Sequence, residues 1–178
     1  MARNGSNVRI AGKAGLFDIR TITDAKKGAN MKITKEWLEK QGACQDGKQW
    51  FVAQRATKIE SVIKKLTKGK HFGWANWTIT RSMTQEQNVR YACFSASLSL
   101  RAFEKIFPND KRPRLAIEAA LKWANFPTEE NKTAAQSARS AAWSALGSAK
   151  SAAWKKILLF GLELLLGKVL GGVFSKWK

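Results

Sequence analysis

TQEQNVRYACFSASLSLRAFEKIFP, residues 84–108, decides the fold. It opens with Thr84 and Gln87 at capping-box spacing, so each side chain can satisfy one of the orphan backbone N–H groups at a helix start. Val89, Ala92, Cys93, Ala96, Leu100, Phe103 and Phe107 then recur at intervals of three and four, the period of one helical face. Pro108 ends the run, because proline has no N–H to continue the ladder and its ring clashes with the preceding turn. The stretch predicts a long amphipathic helix, and such a helix must bury its stripe against something else.

The flanking chain supplies partners of the same kind. Upstream, Thr34 is placed as an N-cap, with Ile33 and Leu38 as a hydrophobic staple and Gly42 as the stop. Asp46 opens a short helix carrying Trp50 and Phe51. Thr57 and Glu60 predict another capping box, for a helix ending near Gly69, and a further helix is expected over about Trp74–Met83. Downstream, Pro113 suits the first turn of a helix with the stripe Ile117, Ala120, Leu121 and Ala124. Pro127 and Thr128 end that helix and cap the next. No alternating strand pattern appears. The expected fold is all-α: a compact multi-helix bundle over residues 31–153, with a basic arm at 1–30 and a hydrophobic helix at 154–178.

The bundle closes with an Ala-rich repeat. SARSAAW (Ser137–Trp143) returns as SAKSAAW (Ser148–Trp154), eleven residues later, which is close to three helical turns. The small residues suit close packing against another helix. The arm carries Arg3, Arg9, Lys13, Arg20, Lys26 and Lys27 against Asp18 and Asp24. It is read as a tether for an anionic partner.

The tail from Ile157 to Phe174 is mostly apolar and is flanked by Trp154, Lys155 and Lys156 on one side and Lys176, Trp177 and Lys178 on the other. Trp and Lys at both ends are how membrane-interface anchors are arranged. As one helix it would span about 27 Å. Twelve apolar residues favour insertion by roughly 4–7 kcal/mol, and Glu163 and Lys168 each oppose it by roughly 2.5–3.5, so a single span is marginal. Gly167 and Gly171 form a G-xxx-G pair suited to helix packing. Burial by the domain itself, burial by a second copy, and membrane contact through residues 154–178 therefore all stand as expectations.

Composition narrows the class of function. The 178 residues carry 32 Lys and Arg against 13 Asp and Glu, a net charge of +19, which calls for an acidic or phosphate-bearing partner. The 44% of apolar residues is enough for a packed core. One histidine, His71, and two cysteines, Cys44 and Cys93, are too few for a His/Cys zinc site or a disulfide framework. The cysteines are read as reduced and structural in a cytoplasmic chain. No secretory leader is visible in residues 1–30. There is no G-xxxx-GK-[ST] phosphate loop and no G-x-S-x-G elbow, so no enzyme, metal or cofactor is expected.

Two constellations remain. Trp74, Trp77 and Arg81 lie on one helix, and Arg112 and Arg114 follow Pro108; Trp and Arg are the residues that dominate binding hot spots. The alternative is that the tryptophans are core and the arginines hold carboxylates such as Glu104 or Asp110. The second constellation is the anionic-partner surface: Lys64, Lys65, Lys68 and Lys70, together with the basic residues of the arm. Aromatics beside a basic groove would also suit single-stranded nucleic acid.

The middle of the chain resembles a known family. WLEKQGACQDGKQWF (Trp37–Phe51), WANWTITRSM (Trp74–Met83), QNVRYACFSA (Gln87–Ala96) and above all FEKIFPNDKRPRLAIEAA (Phe103–Ala120) look like the blocks of immunity family five of bacterial polymorphic toxin systems, which also occurs in phage genomes. The resemblance covers about residues 31–153. It implies an all-helical domain without a catalytic centre that binds and neutralises a toxin. The chain departs from that pattern in its excess of basic residues, its arm and its apolar tail. The expected function is thus a non-enzymatic binding protein for an acidic protein partner or a copy of itself. The alternative is a phage-borne protein, virion-associated or at the inner membrane, that meets nucleic acid or lipid.

Overall fold

The computed structural model describes residues 30–125 and 151–168. The basic arm, most of the Ala-rich repeat, Gly171 and Trp177 lie outside the described residues. Among those described, the chain is all-α. Its helices are α1 (Lys35–Lys40), α2 (Gln45–Gln54), α3 (Ile59–Lys68), α4 (Phe72–Ser82), α5 (Gln85–Ile106), α6 (Arg112–Asn125) and α7 (Ser151–Leu165). One isolated antiparallel bridge joins Lys32 to Lys58, with Ile33 N–H donating to Thr57 O and Ile59 N–H to Met31 O.

Two of the helix starts are capped by a nearby side chain. Thr34 Oγ1 accepts from the Trp37 N–H and caps α1. At Thr84 the full capping box forms: Thr84 Oγ1 accepts from the Gln87 N–H, and Gln87 Oε1 accepts from the Thr84 N–H. The box expected at Thr57 and Glu60 does not form. The cap residue of α3 is Lys58, with no side-chain bond. The Thr57 carbonyl is engaged by Ile33, and the Glu60 carboxylate by Lys64. The stop of α3 falls where expected, with Gly69 as the C-cap, and Lys70 takes the left-handed conformation, with φ 61°.

Helix α5 sits between two clusters. Of its expected stripe, Val89 and Cys93 pack on Ala120, Trp123 and Ala124 of α6, Ala92 and Leu100 are also buried, and Phe107 at the far end is exposed. Its other side carries Tyr91 into the main core, where α3 (Ile59, Val62, Ile63, Leu66), α4 (Ala75, Ile79) and α7 (Ile157, Leu158, Phe160, Leu165) meet. Each such side chain contributes about 1.5–3 kcal/mol when fully buried. The buried Tyr91 hydroxyl donates to Asn76 Oδ1 at 2.7 Å, and burial raises its pKa.

Helix α7 resolves part of the question posed by the tail. Ile157, Leu158, Phe160, Leu162, Leu164 and Leu165 are buried within the domain. The helix ends at Leu165. Gly167 adopts φ 64°, its N–H donates to Leu164 O, and the Lys168 N–H donates to Glu163 O. This is a Schellman stop, which needs the left-handed conformation that glycine adopts without penalty. Fifteen residues span about 22 Å, short of a bilayer core of about 30 Å. No helix among the described residues is long and apolar enough to cross a membrane.

Candidate functional site

The four tryptophans between residues 37 and 77 converge. The cap at Thr34 orients α1 so that Trp37 and Leu38 turn inward. The turn at Gly42, with φ 72°, then reverses the chain into α2, which brings Trp50 and Phe51. Helix α4 contributes Trp74 and Trp77 from successive turns. The Trp37 and Trp77 rings meet edge to face at 5.9 Å, and Trp50 and Trp74 at 6.3 Å. His71 stacks on Trp74 at 4.7 Å and meets Trp50 at 5.7 Å. Such pairs add about 0.5–1.5 kcal/mol each beyond the area they bury.

Between these rings lies a cavity of about 290 Å³. Trp50, Trp74 and Trp77 wall it, Val62 and Leu66 of α3 border it, and the exposed Cys44 also lines it. Among the described residues, no charged residue lines it. Its one hydroxyl, on Thr78, is already donated to Trp74 O at 2.8 Å. The volume falls just below the roughly 300–1,000 Å³ of small-molecule pockets, and about twice the ~150 Å³ apolar cavity that takes a benzene ring. It can hold an apolar group and offers little to orient a polar one.

The residues expected to form one binding surface divide between two places. Trp74 and Trp77 share the cavity wall, half-buried. Arg81 is exposed in the last turn of α4. Arg112 and Arg114 stand at the start of α6, and both are engaged by carboxylates. Arg114 grips Glu104 of α5 through two hydrogen bonds, at 2.7 and 2.8 Å, and Arg112 grips Asp110 at 2.7 and 2.9 Å. The arginines thus clasp the turn between α5 and α6.

These pairs have an electrostatic signature. The Arg112 guanidinium, and then its backbone N–H, hold the Asp110 carboxyl down at about 2, against an ordinary value of 3.8. Hydrogen bonds from Arg114 lower Glu104 in the same sense. A depressed carboxylate stabilises the folded state above its unfolded pKa, and that contribution is lost as pH falls through the folded value. The Asp110 clasp should therefore persist at pH 4 and open near pH 2. A carbon-detected NMR titration is expected to place the Asp110 midpoint near 2; a midpoint at 3.8 would show that the clasp does not hold in solution.

The lysine set is also heterogeneous. Lys64 pairs with Glu60 at 2.7 Å, and Lys65 Nζ donates to Gln54 O at 2.7 Å, closing the end of α2. Lys68 and Lys70 are exposed. Arg3, Arg9, Lys13, Arg20, Lys26 and Lys27 lie outside the described residues. Trp154 is half-buried and stacks on Phe72 at 6.2 Å, a packing role within the domain. Cys93 is buried against α6, and burial pushes its thiol up to about 12.

Sequence reasoning missed Trp50 and Cys44 as cavity residues, and Trp37 as the ring that packs on Trp77. The available signal was density: four of the eight tryptophans fall within residues 37–77. The chain matches no family model, no curated protein and no solved structure.

Proposed function

We propose that the chain is a non-enzymatic helical binding protein that recognises a protein partner by taking an apolar side chain of that partner between Trp50, Trp74 and Trp77. The observation that carries this reading is the tryptophan-walled cavity, which among the described residues is bordered by no charge and by one hydroxyl, already satisfied. Such a lining suits the desolvated anchor of a protein interface. The net charge of +19 favours a partner that is acidic around its anchor. A toxin is the partner implied by the resemblance to immunity family five. No family match accompanies that resemblance, so the cavity is the stronger support.

Gly73 supplies the test. It lines the cavity from the first turn of α4, and a Cβ added there meets nothing within 4 Å. Gly73→Leu should therefore fill the cavity and keep the fold, because leucine is also the better helix former. N-acetyl amides of leucine, phenylalanine and tryptophan serve as side-chain surrogates. They are expected to bind the native chain with affinity on the order of millimolar and to shift the indole N–H resonances of Trp50, Trp74 and Trp77. Gly73→Leu should abolish these shifts while circular dichroism stays unchanged. Surrogates that leave the three indoles unperturbed, or that bind Gly73→Leu equally well, would refute the reading.

A further inference from the structure

Helix α3 presents a second surface, unrelated to the cavity. Its apolar residues, Ile59, Val62, Ile63 and Leu66, are all buried, so its exposed side is free of large hydrophobic groups. That side carries Lys64 and Lys68, one turn or about 6 Å apart. Lys58 stands exposed at the cap. A fourth cation comes from far along the chain. The Schellman stop at Gly167 ends α7, which packs against α3, and leaves Lys168 exposed. Its charge reaches Glu60, the only carboxylate on α3. The Lys64 hydrogen bond and charge, followed by the charges of Lys168 and Lys58, hold that carboxyl below its ordinary range.

We infer that Lys58, Lys64, Lys68 and Lys168 form a composite cationic face that binds the phosphate backbone of nucleic acid without reading its sequence. Four cations against one carboxylate leave a local excess. All four are lysines, which act as point charges on flexible stems, whereas arginine would fit a fixed bidentate geometry. A protein interface of this size would need an apolar or aromatic anchor at its centre, and α3 exposes none. A phosphate polymer needs only regularly placed positive charge.

The test uses the full chain and a fluorescein-labelled 20-base-pair DNA duplex of mixed sequence, titrated between 50 and 200 mM salt. The double variant Lys64→Gln/Lys168→Gln is compared with Lys35→Gln/Lys40→Gln, which removes the same charge from exposed positions on α1. The slope of log affinity against log salt should fall by about 1.8 in the first variant, so that its loss of affinity over this range is about tenfold smaller than in the native chain. The α1 variant should keep close to the native slope. Equal effects in both variants would show that only net charge matters, and an unchanged slope in the first would remove Lys64 and Lys168 from the interface. Loss of binding to phosphatidylserine vesicles in the first variant, with duplex binding intact, would make the face a lipid surface and overturn the assignment. Circular dichroism of both variants checks that the helices persist.

Discussion

Gly161→Ala is expected to destabilise the protein, although alanine favours a helix over glycine by about 1 kcal/mol. Gly161 is buried where α7 crosses α4 and α5. An added Cβ would lie 2.6 Å from Tyr91 Cε2 and 2.9 Å from Ile79 Cγ2. Neither neighbour can yield easily. The Tyr91 ring is tethered by its hydroxyl to Asn76 Oδ1 at 2.7 Å, and Ile79 is fully enclosed. Overpacking of this kind costs about 3 kcal/mol at the upper end of its usual range, so the net loss is about 2 kcal/mol. That corresponds to a fall in melting temperature of about 4–8 °C. The same substitution at Gly73, where a Cβ meets nothing within 4 Å, should instead raise stability by about 0.5–1 kcal/mol. Thermal melts followed by circular dichroism separate the two. An unchanged or raised melting temperature for Gly161→Ala would mean that α7 does not approach α4 and α5 this closely.

The second large effect contrasts two adjacent leucines. Leu158 is 1% exposed and Leu159 is 57% exposed. Leu158→Ala leaves a cavity in the main core and should cost about 2–5 kcal/mol. Leu159→Ala should change stability by no more than about 0.5 kcal/mol. Were this segment seated in lipid, the two leucines would be nearly equivalent in an aqueous melt. Urea denaturation of both variants decides the matter, and equal midpoints would overturn the burial of α7 within the domain.

What could be read in the sequence was what depends on near neighbours. The Thr84–Gln87 box, the Thr34 cap and the turn at Gly42 are all local, and all formed as expected. The stripe of Val89 and Cys93 was legible because a single period of 3.6 describes it. The opposite side of α5 was not, because Tyr91 is buried by Ile79 of α4 and by α7, which meet it only through the fold. At Thr57 the chain is still paired with Ile33 across the bridge, and the helix starts one residue later, with the Lys58 carbonyl accepting from the Val62 N–H. In the tail, apolar residues continue on both sides of Gly167 and Lys168, yet the left-handed glycine ended the helix there. That Trp74 and Trp77 belong to one helix was legible, whereas Trp37 and Trp50 reach them only through the fold. The alternative noted for Arg112 and Arg114, that they hold carboxylates, matches the observed clasps on Asp110 and Glu104.

Two of the cations do work at helix ends to which they do not belong. Lys65 closes the end of α2 through Gln54 O, and Arg90 reaches the end of α6 through Ala124 O at 3.0 Å. Blanket acetylation with acetic anhydride would therefore confound two effects: it would discharge the surface and, at Lys65, unfasten a joint between neighbouring segments. Neutralising lysines one at a time keeps adhesion and architecture apart.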